Sequence, residues 1–456
     1  MSGEVSTRAV GRLMPVGVFC LVAAAQLWLV AVAGTDVPFH DQWDAEGRGL
    51  YPAMRDGTAS VTDLFRAHNE HRIAWTQGLN RLLFSLNGQW DPLVQLALGA
   101  LLHAAGAALL AAQLAVGSSA RVRWLLGSAV GLLSLPLAGW HNALWGFQSQ
   151  VYFAVLFSVG SFGLLAASSG FTTRALFGWL LAGAALLAMG PGFLVPVVLA
   201  GGWLLRRREG GSCWSGLLPL AVLVLAAWLL HLRVPEHAAL QAGSVGRFVS
   251  ALGRLLAWPH TAQPWAALVL NVPVAVALGG RLVGRRKPAA GEDFVLMLAA
   301  WALLIALAAA WTRGGGAEFA AGVPSRYADF MVLLPLANLW CVLTLAATRR
   351  VRVLAATWSA FLFIGWLGLS VEVMRGVVLP RARDREAPVR LLQEFQRTGD
   401  VGVFAGQPRL LVPHPDLESV RVVLADPRLQ GGLPPSLQVE RRSGPLSRGV
   451  RWLTGR

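Results

Sequence analysis

Residues 13–50 read LMPVGVFCLVAAAQLWLVAVAGTDVPFHDQWDAEGRGL, an apolar run over 13–33 followed at once by a polar segment crowded with acid. A run of that length approaches the roughly 20 residues that carry a helix across a hydrocarbon core of about 30 Å. Arg8 and Arg12 precede it, but the run is too long for a signal-peptide core and has no small-residue cleavage pattern, so it reads as an anchor. Ten further apolar stretches follow, at about 93–116, 124–140, 151–169, 176–190, 192–205, 214–232, 264–283, 294–311, 327–347 and 353–371. None alternates with period two, so the need to satisfy every backbone group in lipid favours helices over a barrel.

Composition agrees. Hydrophobic residues make up 55% of the 456 and charged ones 14%, with mean hydropathy +0.54, outside the range of a soluble domain of this length. The formal net charge is +15, yet the arginines are spread between spans rather than massed on one face, which excludes a nucleic-acid partner. Cys20 and Cys341 fall inside apolar spans and Cys213 beside one, so there is no disulfide framework. The expected fold is an all-α polytopic membrane protein of about 11 transmembrane helices.

The arginines also set an expected topology. With the amino terminus cytoplasmic, Arg121 and Arg123, Arg174, Arg206 to Arg208, Arg285 to Lys287, and Arg349, Arg350 and Arg352 all lie inside, as the positive-inside rule requires of short loops. This holds only if 176–205 is split into two spans, and the Gly190-Pro191-Gly192 string supplies the break. The outer face then receives a first loop (35–92), residues 141–150, 233–263 and 312–326, and an extracytoplasmic tail (372–456) following a transmembrane domain of 1–371. The tail reads as a small α/β or irregular appendage, with a helical turn over 389–395, short strands at 401–404 and 410–412, and loss of order after Arg441.

Four strings on that face carry chemistry. Asp41 and Asp44, flanked by Asp36 and Glu46, are three apart and share a face if the segment is helical. They could converge on one hydroxyl as a general base or on a divalent cation, or simply cap a short helix. HNEHRIAW places His68, Glu70, His71 and Arg72 before an amphipathic run through Leu79, Leu82, Leu83 and Leu86, the pattern of a helix on the membrane surface. HExxH is absent, so His68, Glu70 and His71 suit polar contacts to a sugar better than zinc. HNALWGFQSQVYF alternates Trp145 and Phe147 with Asn142 and Gln148, which fits either an interfacial aromatic belt or a sugar platform. RGGGAEFAAGVPSRYADF ends in Arg326 and Tyr327 at a helix start, where a guanidinium suits phosphate, snorkels at the interface, or pairs with Asp329. Within the spans His103 is the clearest ionisable group, and it reads as a packing contact rather than a relay.

The carboxylate-bearing first loop with its surface helix, the many spans and the later loop ending in an arginine resemble the GT-C superfamily of membrane glycosyltransferases. HNEHR, WGFQ and the tail string HPDLESVRVVLADPRLQGGLPPSL together are similar to a bacterial branch of it. The resemblance implies transfer of a sugar from a polyprenyl-phosphate donor to an envelope glycan or lipid acceptor outside a bacterial cytoplasmic membrane, usually with inversion. It implies that the catalytic carboxylate falls on Asp41 or Asp44 and donor phosphate binding on Arg326, Tyr327 and Arg72. His68, Glu70, His71, Asn142, Trp145 and Gln148 are then expected around sugar and acceptor. No DxD string and no WWDYG-type signature of the oligosaccharyl transferases occurs, so the resemblance implies neither that subgroup nor a definite cofactor, and a divalent metal remains compatible with the carboxylates. A carrier of lipid-linked sugars, or a noncatalytic partner in envelope polysaccharide assembly, would share the same lipid contacts.

Overall fold

The computed structural model describes residues 2–208, 216–232, 234–284, 287–345, 348–438 and 442–455, with side chains omitted for 2–12, 321 and 345. Cys213, Arg233, Arg285, Arg286 and Arg441, and the side chains of Arg8 and Arg12, therefore lie outside the described residues.

The described chain is about three quarters helical, with almost no strand. Its one sheet is a two-stranded hairpin, β1 (Ala67–His68) against β2 (His71–Arg72). The longer helices are α1 (Ser2–Ala33), α2 (Ala74–Asn87), α3 (Pro92–Leu114), α4 (Ala120–Leu133), α5 (Ser149–Ala166), α6 (Thr173–Leu186), α7 (Val195–Arg208), α8 (Leu217–Leu230), α9 (Val245–Leu256), α10 (Val272–Leu282), α11 (Glu292–Arg313), α12 (Leu333–Leu345), α13 (Arg349–Val373), α14 (Ala387–Thr398), α15 (Leu417–Ala425) and α16 (Pro445–Leu453). Among the described residues six helical runs are long and apolar enough to cross a membrane: Leu13–Ala33, Pro92–Leu114, Gly146–Ala166, Glu292–Arg313, Ser325–Thr344 and Arg349–Arg383. Three further apolar helices, α6, α8 and α10, are shorter. The chain does break at Gly190, where α6 gives way to a 3-10 turn (Gly190–Leu194) before α7.

Helix starts follow local chemistry. Asp91 accepts the Leu93 N–H at 2.9 Å with Pro92 behind it, and Ser119, Thr172, Ser244 and Thr348 cap α4, α6, α9 and α13 in the same way. Gly88, at φ 72°, ends α2. Gly117 stands against Ala290, while Arg206 reaches the carbonyls of Leu165 and Ser168 and the carboxylate of Asp293, so these turns share one end of the bundle, the arginine-rich end. Contacts of Glu70 with Arg313, His141 with Ser325 and Arg409 with Glu318 gather the first loop, 141–150, 312–326 and the tail at the other end.

The tail differs from the expected strands. Val401–Phe404 and Arg409–Leu411 are 3-10 turns, because among the described residues no neighbouring strand offers its backbone to either. Helix α13 continues through a π turn to Arg383, past the expected boundary at 371. Instead of losing order after Arg441, the chain forms α16, whose Ser447 is bonded by Asn87 and Gln89. Tail and first loop share one core, in which Val37, Trp43, Tyr51, Phe84 and Trp90 pack with Leu392, Phe395, Val420, Val423 and Leu437. The indoles of Trp43 and Trp90 meet edge to face at 5.5 Å, both fully buried. Trp90→Ala is expected to cost about 3–5 kcal/mol and to expose the tail first, measured as protease cleavage after residue 383 at temperatures where the wild type resists.

Candidate active site

A π-helical segment (Trp43–Leu50) decides which acids of the first loop face solvent. It buries Trp43, Glu46, Gly47 and Leu50 on one side. Trp43 Nε1 donates to the Pro38 carbonyl at 2.9 Å and Gln42 Nε2 to Gln95 Oε1 at 2.7 Å, pinning the turn inward. Asp41 and Asp44 remain partly exposed, each beside a histidine. Asp41 Oδ2 lies 3.4 Å from His68 Nε2 on the hairpin. Asp44 Oδ2 lies 3.0 Å from His414 Nε2, with Arg48 at 3.7 Å. Burial pushes the Asp41 carboxyl up, but the hydrogen bond and charge of His68, with His40 and His414, hold it below its ordinary value. The His414 hydrogen bond holds Asp44 low against burial. Both are carboxylates at neutral pH, able only to accept.

His414 comes from the tail string PHPD. Its Nδ1 sits 2.8 Å from the Asp416 carbonyl and 3.1 Å from the Asp416 N–H, while Nε2 faces Asp44. Burial alone would lower its pKa, yet these two partners raise it. His40 is different. Its N–H donates to the Pro413 carbonyl at 2.6 Å, it adopts φ 47°, and burial drives its pKa down to about 4, so it is neutral. A non-glycine residue in that region stores strain on the order of 1–3 kcal/mol, offset here by the clasp to the tail.

Beyond His40 stands an aromatic wall. Trp145 stacks on His141 at 5.2 Å and Phe147 at 5.7 Å, with Phe39 at its edge at 6.0 Å and His40 at 5.8 Å. Gly146 is required because a Cβ there would lie 2.5 Å from Gln95 Oε1. Burial drives His141 down to about 3, reinforced by Arg326, His40, Arg381 and Arg409. His141 Nε2 and Trp145 Nε1 are buried with no hydrogen-bond partner among the described residues. The His141 N–H donates to Ser325 Oγ at 3.2 Å, and Asn142 Nδ2 donates to the Arg326 carbonyl at 3.0 Å and to Asp329 Oδ2 at 2.7 Å. Asp329 therefore serves Asn142 and, at 3.7 Å, His103, rather than Arg326.

Arg326 pairs with Glu318, whose second oxygen takes Arg409 at 3.2 Å, and its guanidinium lies 5.3 Å from the Tyr327 ring centroid. Two guanidiniums on one carboxylate leave an excess positive charge. His68 meets Phe147 edge-on at 4.9 Å, and His141 and Asn142 bond the Ser325–Arg326 turn, so the Asp41–His68 pair and the Arg326 turn border the same wall. The other sequence candidates go elsewhere. Glu70 pairs with His237 and with Arg313 at 2.7 Å, His71 is half-buried against Gly190, and Arg72 donates to the Phe65 carbonyl of its own loop. Gln148 is buried 3.5 Å from Gln150. Among the described residues no three His, Cys, Asp or Glu side chains are placed to hold a metal ion. His40, His141, His414 and Arg409 were not singled out by the sequence. The PHPD string, with two prolines around a histidine beside an acid, was the available signal.

Underneath, Glu46 is fully buried and accepts from Gln95 Nε2 at 2.7 Å and Tyr51 Oη at 3.0 Å. Burial raises its pKa to about 7. No family model matches the chain, and neither the curated proteins nor the solved structures give a match.

Two outcomes follow for pH. His414, raised above its ordinary 6.5, contributes stability that is complete below that value and lost as pH rises through the raised one. Asp44, lowered from 3.8, contributes stability present above 3.8 and lost as pH falls further. Hydrogen exchange of 412–425 should thus be slowest between these limits, with that pH dependence removed by His414→Ala. The raised pKa of Glu46 makes ionisation costly to the fold. Glu46→Gln should gain on the wild type by about 2–3 kcal/mol between pH 4.5 and 8 in denaturant titrations.

Proposed function

We propose that the protein is a GT-C-type glycosyltransferase of a bacterial cytoplasmic membrane, with the amino terminus cytoplasmic and the first loop and tail outside. It moves a sugar from a polyprenyl-phosphate donor to an envelope glycan or lipid acceptor, with inversion. The observation that carries this reading is the joint placement, around one aromatic wall, of two ionised aspartates held by histidines and of the Arg326–Glu318–Arg409 cluster. Sugar recognition needs apolar ring faces together with hydrogen-bonding groups, and Trp145 and His141 supply both. In the proposed step the acceptor hydroxyl oxygen bonds the anomeric carbon and gives its proton to Asp41 or Asp44. The bond from that carbon to the phosphate oxygen breaks, its electron pair leaves with the lipid phosphate, and Arg326 and Arg409 stabilise the charge. Arg72, bonded within its own loop, has no part in this.

The test is incubation of the purified protein with radiolabelled polyprenyl-phosphate sugars and an envelope extract as acceptor. Release of lipid phosphate with transfer of label supports the enzyme, movement across vesicles without cleavage supports a carrier, and neither supports an assembly partner. At least one of Asp41→Asn and Asp44→Asn should lose about 10²–10⁴-fold in turnover, and Arg326→Ala about 10²–10³-fold. Full activity in both aspartate variants would refute the base assignment.

A further inference from the structure

A cleft of 650 Å³ lies between α7, α10 and α11, at the end of the bundle away from the candidate site. Its walls are apolar, including Val197, Leu204, Leu278 and Leu303, and Asn271 at its inner end is satisfied by the carbonyls of Leu256 and Ala267. Away from its mouth, no wall group therefore calls for water. Its lining on α11 runs from Asp293 to Leu304, about 16 Å of helix, which is half of a hydrocarbon core of about 30 Å. The mouth carries Arg206, paired with Asp293, and Arg208. Arg206 is held by Asp293 and two carbonyls. Arg208 is exposed and has no partner among the described residues.

We propose that this cleft binds an anionic phospholipid from the leaflet at the arginine-rich end, one acyl chain lying along α11 and the phosphate against Arg208. A basic pocket beside the spanning helix α11 is suited to an anionic head group. The donor of the proposed transfer is excluded as occupant by distance. Its phosphate belongs at the far end of α11, 20 residues from Asp293 to Arg313, or about 30 Å.

Native mass spectrometry of the delipidated full chain, titrated with dioleoyl phosphatidylglycerol or dioleoyl phosphatidylcholine, tests this without any activity assay. One phosphatidylglycerol should bind with about fivefold preference, the scale of one arginine near a head group. Arg208→Gln should remove the preference while leaving uptake. Gly201→Phe should abolish uptake of both lipids, since Gly201 lines the cleft and nothing lies within 4 Å of a Cβ there. Unchanged thermal unfolding would show that the variant folds. Equal binding of the two lipids, uptake insensitive to Gly201→Phe, or displacement by an equal concentration of polyprenyl phosphate would each overturn the proposal.

Discussion

The placement of the candidate site rests on the apolar core shared by the first loop and the carboxy-terminal tail. Fully burying a large side chain such as Trp43, Trp90 or Tyr51 is worth about 1.5–3 kcal/mol, and none could be buried by the loop alone. The tail contributes Leu392, Phe395, Val420 and Val423 to the same cluster. Arg451 closes the arrangement from the last helix with a 2.9 Å bond to the buried Asp36. With the turn held at Trp43, Asp41 and Asp44 have few directions left.

The polar groups below the site are linked rather than isolated. Asn142 ties the Arg326 turn to Asp329, Asp329 faces His103, and His103 is bonded to Gln26 at 2.7 Å and stacked on Tyr152 at 4.8 Å. Ionisable groups within a membrane are costly unless paired. This chain of partners meets that cost and fixes the aromatic wall from beneath.

Much of the fold was readable from sequence because its signals are local. Hydropathy marks the anchor, the Gly-Pro-Gly string breaks the chain at 190, and arginines mark one end of the bundle. The burial of Glu46 was also within reach, since Trp43, Glu46, Gly47 and Leu50 repeat with helical spacing whereas Asp44 and Arg48 fall opposite. The short strands of the tail were misread because a β-rich run is a strand only where another strand completes its hydrogen bonds. Arg72 and Glu70 looked like site residues because they adjoin His68 in sequence, but a tight hairpin turns them to other partners. His414 and Arg409 lay beyond any local pattern, since their value comes from residues far up the chain.

That separation has a consequence for how the protein is made. Arg48 and the Ser419 it bonds are 371 positions apart, and the histidine facing Asp44 belongs to the same late segment. Asp41 has His68 within its own loop, but Asp44 leaves the ribosome long before the His414 that faces it. The candidate site is thus completed only once the tail has been made, and a product truncated before 414 keeps Asp41 beside His68 but leaves Asp44 unset.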